Sequence, residues 1–282
     1  MVDIFDPMCD VPGIVDYERP DTWPRTLTAL FDAHAEILKN HGREEHRINM
    51  LSFEERLSVQ NRCEDQHNHI VRRADEILAS EQLLGFHCTR LADDEIADVW
   101  AHGLRLLSAD FLQERIHCRI EAGDMPESLG LRLWKERRTG NDNHPGRIWF
   151  INMRSRLKLK GAVQWLFRSW GGEALSINHG DDPETGPLLC QIGTPCIWIA
   201  ALPISQCGVR NMGERFVWAY LAHRGAATGN GPDLQISLLE PLPPDSIINV
   251  VRYDDPAFEM LTGCSTWRDP IMPSVEIEQG DH

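Results

Sequence analysis

The residues best suited to chemistry lie in three short segments of the 282-residue chain. The first reads Phe-His-Cys-Thr-Arg and places His87 in an apolar stretch that predicts a strand. The second is an aromatic pair followed shortly by Arg154, and in the third Glu173 directly follows two glycines. An imidazole forms hydrogen bonds, an aromatic ring stacks on a planar ligand, a guanidinium pairs with oxygens, and a carboxylate stabilises positive charge.

Four common fingerprints of catalysis are missing from the sequence. The chain has no G-x-x-x-x-G-K-[ST] phosphate loop, no G-x-S-x-G nucleophile elbow and no H-E-x-x-H zinc motif. It also lacks a G-x-G-x-x-G segment that links a strand to a helix, which argues against a dinucleotide-binding Rossmann fold.

Four short segments between residues 85 and 253 resemble the ADP-ribosyltransferase superfamily. Residues 86–89 are similar to the aromatic-His-x-Thr pattern of its first strand, and residues 99–104 to the Gly-Leu end of the following helix. Residues 148–155 resemble the second strand of the DNA-targeting ADP-ribosyltransferase toxins, and residues 234–250 resemble the closing strand, Pro-rich turn and strand. The resemblance implies an α+β fold with an ADP-ribosyltransferase-like split β-sheet core.

The first strand carries three of the residues to which the resemblance assigns NAD binding. His87 is expected to bond a ribose hydroxyl of NAD. The peptide groups beside it, at Cys88, would hold the nicotinamide amide, and Thr89 would bond the adenosine ribose. By itself, a lone histidine on an apolar strand is usually a core residue, so the assignment depends on the flanking match.

Two further functions are assigned by the same resemblance, each with two candidates. Phe150 or Trp149 would stack on the nicotinamide ring. Arg90 or Arg154 would pair with the pyrophosphate, where a planar guanidinium matches paired oxygens.

The catalytic carboxylate is the point at which the sequence departs from the family pattern. The position at the start of the penultimate strand, counted back from Leu242, holds Gln235. Asp233 precedes it on the same strand face, and Glu173 in the Gly-Gly-Glu turn is the other candidate. A third reading is that the domain performs no transfer.

Three functions are therefore expected, in order of preference. The first is an NAD-dependent ADP-ribosyltransferase that modifies a macromolecule, either nucleic acid or protein, of the bacterial toxin or phage-defence kind. The second is a non-catalytic NAD- or nucleotide-binding module that kept the fold and lost the acid. The third is an RNA 2′-phosphotransferase-like enzyme, which a site lined by Arg90, Arg154 and Arg156 without a carboxylate would favour.

An N-terminal helical hairpin is expected before these segments. One amphipathic helix begins near Pro24 and ends at Gly42, and a second begins at Ser52 with Glu55 completing a capping box. The hairpin would serve for target docking, oligomerisation or restraint. The chain is divided into a leader with hairpin (1–82), a transferase-like domain (83–268) and a flexible tail (269–282).

Within the domain, Gly103 is expected to end a helix and Ser108 to begin another. A further helix is predicted over 157–170. Strands are predicted at residues 85–89, 147–153, 174–177, 195–204, 233–239 and 247–253.

Composition limits the cellular setting. The net charge of −15 argues against a protein whose main task is to bind a phosphate backbone. The acidic N-terminus lacks a signal-peptide pattern and no apolar run would span a membrane, so we expect a cytoplasmic protein whose eight cysteines are reduced. Cys63, His67 and His69 lack a second half-site at zinc-finger spacing, so no metal is expected.

Overall fold

The computed structural model describes residues 11–137, 146–209, 211–226, 234–268 and 271–272. The helices are α1 (Arg25–Ala33), α2 (Ala35–Asn49), α3 (Phe53–Arg56), α4 (Glu64–Leu78), α5 (Asp93–His102), α6 (Ala109–Glu121), α7 (Glu127–Glu136), α8 (Arg154–Leu157), α9 (Lys160–Arg168), α10 (Glu173–His179), α11 (Thr185–Gln191), α12 (Met212–His223) and α13 (Pro256–Thr262). The strands are β1 (Gln82–Leu91), β2 (Ile148–Ile151), β3 (Thr194–Pro203), β4 (Gln235–Leu238) and β5 (Ile247–Arg252). The predicted mixture of helix and strand is confirmed.

The strands form one antiparallel five-stranded sheet in the order β4-β2-β1-β3-β5. Phe86 on β1 is opposite Ile151 on β2. The β3–β5 ladder runs from Cys196 opposite Arg252 to Ala200 opposite Ile247. β3 lies inside the sheet, and almost all of its residues are buried, as its apolar sequence predicts.

The chain divides into two compact units. The first unit contains Phe86–Ala200 and Leu238–His282, and the second contains Cys9–Gly85 and Ala201–Ser237. The predicted division into leader, domain and tail stays a prediction, and most of the predicted tail lies outside the described residues.

Helices α1, α2, α4 and α12 pack together in the second unit. Aromatic rings fill its interior, with Tyr17 and Trp23 both packed edge-on against Phe216 and Phe31 packed against Tyr220. Helix α4 contributes a buried stripe at helical spacing, which consists of His67, Ile70, Val71, Ala74 and Leu78.

The predicted end of the first helix at Gly42 is wrong. The chain breaks earlier, at His34, and Gly42 is buried inside α2. A glycine inside a helix costs about 1 kcal/mol relative to alanine, and the buried side of α2, with Leu38, outweighs that cost. The Ser52–Glu55 capping box is confirmed, but the helix that it begins is only α3, and the second long helix begins at Glu64.

The predicted strand at residues 174–177 is also wrong, because these residues belong to α10. Gly171 and Gly172 both have positive φ and turn the chain into that helix. Helical geometry buries Leu175 completely in an apolar cluster with Trp170 and Leu189. A pattern of only four residues does not distinguish a helix from a strand, so the sequence alone could not predict this helix.

Gly103 ends α5, as predicted, and its conformation is required. Its φ is +81°, and a Cβ at this position would overlap the carbonyl oxygen of Leu242. Leu104 and Leu242 exchange two N–H···O bonds of 2.9 Å at the same place.

Among the described residues, no helix is long and apolar enough to cross a membrane.

The close approach of α12 to α4 gives a stability prediction. A Cβ on Gly213 would lie 2.5 Å from the carbonyl oxygen of Val71 and 2.9 Å from Ala74 Cβ. We expect Gly213→Ala to lower the free energy of unfolding by about 1–3 kcal/mol, because overpacking outweighs the higher helix propensity of alanine. Urea denaturation measures this value. Gly161→Ala is the control, because nothing lies within 4 Å of its Cβ, and equal stability losses in both variants would contradict the packing argument.

Candidate functional site

The strand pair β1–β2 positions His87. The side chain is half-buried, and its Nδ1 lies 2.9 Å from the carbonyl oxygen of Trp149. Since a carbonyl only accepts, Nδ1 carries the proton, and Nε2 is the acceptor in the neutral ring. The ring centroid is 5.7 Å from that of Phe150.

His87 is held in its neutral form. Burial lowers the pKa of His87 below its ordinary value of 6.5, and the positive charge of Arg115 lowers it further. The hydrogen bond to Trp149 opposes this shift without reversing it. A neutral imidazole with a fixed tautomer is suited to accept a hydrogen bond from a ligand hydroxyl.

Strand alternation divides the predicted cofactor residues between two faces of β1. His87 and Thr89 are half-buried, whereas Phe86, Cys88 and Arg90 are buried. Burial also raises the pKa of the Cys88 thiol, so it stays protonated. His87 and Thr89 therefore share one face, and Cys88 and Arg90 lie on the other.

The two aromatic candidates on β2 differ in accessibility. Phe150 is only 1% exposed and contacts His87, while Trp149 is 38% exposed. Phe150 supports the histidine from the core. Because neighbouring strand residues alternate, Trp149 lies on the opposite face of the sheet from Phe150 and His87.

The guanidinium of Arg90 forms hydrogen bonds with main-chain carbonyl groups. It is 1% exposed and donates to the carbonyl oxygens of Ile192 at 2.7 Å, Phe167 at 3.2 Å and Ile271 at 3.1 Å. These bonds occupy the guanidinium and join three segments that are distant in sequence. Binding of pyrophosphate by Arg90 stays a prediction, and it would require this side chain to give up bonds inside the core.

Arg154 begins α8 and is also buried. Its guanidinium carbon lies 5.5 Å from the centroid of the Phe86 ring. Because Phe86 is on the core side of β1, Arg154 lies on that side as well, away from the face shared by His87 and Thr89.

Two residues near His87 were missed in the sequence, Glu95 and Arg115. Arg115 Nε donates to Glu95 Oε1 at 2.6 Å, and the guanidinium carbon lies 4.8 Å from the Trp170 ring centroid. Arg115 Nη2 is buried without a hydrogen-bond partner among the described residues. An unpaired guanidinium donor is a group that an anionic ligand can satisfy.

The other oxygen of Glu95, Oε2, accepts from the Ala92 N–H and from Trp170 Nε1, both at 2.8 Å. Burial alone would raise the pKa of Glu95, but Arg115 and these hydrogen bonds outweigh it and hold the pKa below its ordinary value. Glu95 is thus a charged, nearly buried carboxylate whose two oxygens are both occupied. The acidic start of α5 is the only local signal for it, since its partners are remote in sequence.

The predicted catalytic residues are placed as follows. Glu173 is the first residue of α10 and is half-buried, directly after the Gly171–Gly172 turn. Asp233 lies outside the described residues. Gln235, at the position where the resemblance implies a glutamate, begins β4 and is exposed.

The buried ion pair of Glu95 and Arg115 predicts that the stability of the protein depends on pH. The unfolded chain, with its ordinary Glu pKa near 4.5, binds a proton before folded Glu95 does. The contribution of Glu95 is therefore complete above about pH 4.5 and is lost as the pH falls through the lower folded-state pKa. Glu95→Gln leaves Arg115 unpaired, and we expect it to lower the free energy of unfolding by about 3–5 kcal/mol at pH 7.

Urea denaturation of both proteins at neutral and acidic pH measures this difference, which should shrink in acid. Glu121→Gln is the control, because that side chain is 67% exposed and should change stability little. A difference between wild type and Glu95→Gln that is independent of pH would show that the charge of Glu95 is not responsible.

The comparisons with known proteins leave the family open. No family model, curated protein or solved structure matches this chain. The resemblance to the ADP-ribosyltransferase superfamily therefore rests on the sequence segments alone.

Proposed function

We propose that the chain is an NAD-dependent ADP-ribosyltransferase that modifies a nucleic acid or a protein, and that its sheet is the split core of that superfamily. The observation that best supports this is the contact of His87 with β2, through the Trp149 carbonyl and the Phe150 ring. These residues belong to two separate segments of the resemblance. The Leu104–Leu242 pairing joins the other two segments in the same way.

The half-buried face of β1 would bind NAD. His87 Nε2 would accept a hydrogen bond from a ribose hydroxyl, and Thr89 and Phe150 lie on the same face of the sheet. NAD would supply the ADP-ribosyl group when its glycosidic bond to nicotinamide breaks.

A different arginine is better suited to the pyrophosphate than those chosen from the sequence. Arg90 is engaged with three carbonyl oxygens, and Arg154 lies over Phe86. Arg115 is close enough to lower the pKa of His87, and its Nη2 lacks a partner among the described residues. We propose that Arg115 binds the pyrophosphate, which also weakens the case for a 2′-phosphotransferase that depends on Arg90 and Arg154.

Glu173 is the proposed acid. Its carboxylate would stabilise the positive charge that develops on the ribose when the glycosidic bond breaks. Glu95 is a poorer candidate, because its two oxygens already accept three hydrogen bonds. Asp233 remains an alternative from the sequence.

Binding without catalysis is the second candidate function. Gln235 at the exposed start of β4 favours it, because an amide cannot supply the negative charge of the family's glutamate. In either case, an effector role in phage defence or as a toxin is proposed from the resemblance.

NAD should raise the melting temperature of the protein. A ligand that binds only the native state stabilises it by about 2.7 kcal/mol at about a hundred times its Kd. We expect His87→Ala to abolish the shift, because the ribose contact is lost, and differential scanning fluorimetry measures it. His117→Ala is the control, since His117 lies on α6 and is 69% exposed. Equal NAD shifts in wild type and His87→Ala would contradict the assignment.

Nicotinamide release tests the acid. We expect Glu173→Gln to reduce the rate by about 10²–10³-fold, on the scale of one electrostatic stabiliser, while the NAD-induced thermal shift is kept. Asp233→Asn is measured beside it, and a large loss in that variant alone would transfer the assignment to Asp233. If wild type binds NAD but releases no nicotinamide with nucleic acid or protein acceptors, the binding module is favoured.

A further inference from the structure

A second cluster of functional groups lies in the second unit, among α2 and α4. His41 and Glu45 are one turn apart on α2, and Glu64 is the first residue of α4. One ligand atom from each of the three lies within 4.8 Å of the other two. His41 Nε2 and Glu64 Oε2 are 3.1 Å apart and form a hydrogen bond, which an ion bound to both atoms would replace.

Neighbouring amides orient the two carboxylates of this cluster. Asn61 Nδ2 donates to Glu45 Oε1 at 3.1 Å and to the His41 carbonyl oxygen at 3.0 Å. Asn68 Nδ2 donates to Glu64 Oε1 at 3.1 Å. Metal-ligating carboxylates are commonly held by such outer hydrogen bonds, which set the direction of the remaining lone pairs.

His67 provides an independent observation at the same place. Its side chain is 4% exposed, and its ring stacks on that of His41 with centroids 3.6 Å apart and planes 5° from parallel. Nε2 of His67 is 3.3 Å from Glu214 Oε2, but Nδ1 is buried without a hydrogen-bond partner among the described residues. Buried polar atoms usually have a hydrogen-bond partner, so this nitrogen is placed to take a hydrogen bond from a group bound beside it.

The stacking also decides which residues act as ligands. A metal ion bound to an imidazole lies in the plane of its ring, so two parallel rings 3.6 Å apart do not bind one ion together. His67 therefore packs against the liganding ring of His41. Its unpaired Nδ1 would accept a hydrogen bond from a water on the ion.

We propose that His41, Glu45 and Glu64 bind a divalent transition-metal ion of the Zn²⁺ class. An imidazole ligand favours transition metals over Mg²⁺ and Ca²⁺, and three protein ligands leave positions for water. Glu64 is half-exposed, so the ion reaches the site from solvent. A bound ion would connect α2 to α4.

This inference does not depend on the proposed transferase activity, and it differs from the expectation of no metal. The spacing of Cys63 and His67 along the chain does not indicate this site, and the reason is physical. Its ligands are brought together by helix packing, with His41 and Glu64 23 residues apart.

Metal titration of the full chain after chelation tests the proposal. Zn²⁺ should raise the melting temperature, and Co²⁺ should give a visible d–d absorption band. Both effects should disappear in Glu64→Gln, which is expected to fold because the side chain is half-exposed. His41→Ala should behave alike, and His46→Ala, an exposed histidine on the same helix, should respond as wild type does.

The hydrogen bond from Asn68 to Glu64 allows a second test, in which the affinity for Zn²⁺ is measured. Asn68→Ala should weaken Zn²⁺ binding by about 10–100-fold without abolishing it. Wild type without a thermal shift or a Co²⁺ band would overturn the proposal. An equal response of Glu64→Gln and wild type would overturn it as well.

Discussion

The buried ion pair of Glu95 and Arg115 is the interaction on which the rest of the candidate site depends. Removing two charges from water is costly, and here the cost is offset because Glu95 also accepts from the Ala92 N–H and Trp170 Nε1. One carboxylate thereby joins α5, α6 and the turn before α10. The same pair sets the charge beside His87 and fixes Trp170, from which the Gly-Gly turn leads to Glu173.

Local signals in the sequence predicted local structure well. Ser52 and Glu55 form their capping box, Ser108 caps α6, and Gly103 ends α5. Each depends on atoms only a few residues apart. The predictions at Gly42 and at residues 174–177 were wrong because burial against distant segments, and not the local sequence, determined the structure there.

The same distinction applies to the site. His87 and Phe150 could be chosen because their segments resemble known strands, and the structure places the two in contact. Glu95 and Arg115 could not, since only the folded chain brings the two side chains together across 20 residues. Strand alternation predicts that Cys88 and His87 lie on different faces of β1. Only the structure shows which of the two faces is buried in the core.

Arg90 makes three of its four bonds to main-chain oxygens, the fourth being to the Met272 sulfur, and this has an evolutionary consequence. The carbonyls of Phe167, Ile192 and Ile271 are present whatever side chains these positions carry. Selection on this junction therefore acts on one codon, while the three partner positions are free to drift as far as packing allows. Covariation between Arg90 and its partners would be weak, although the contacts are among the most buried in the first unit.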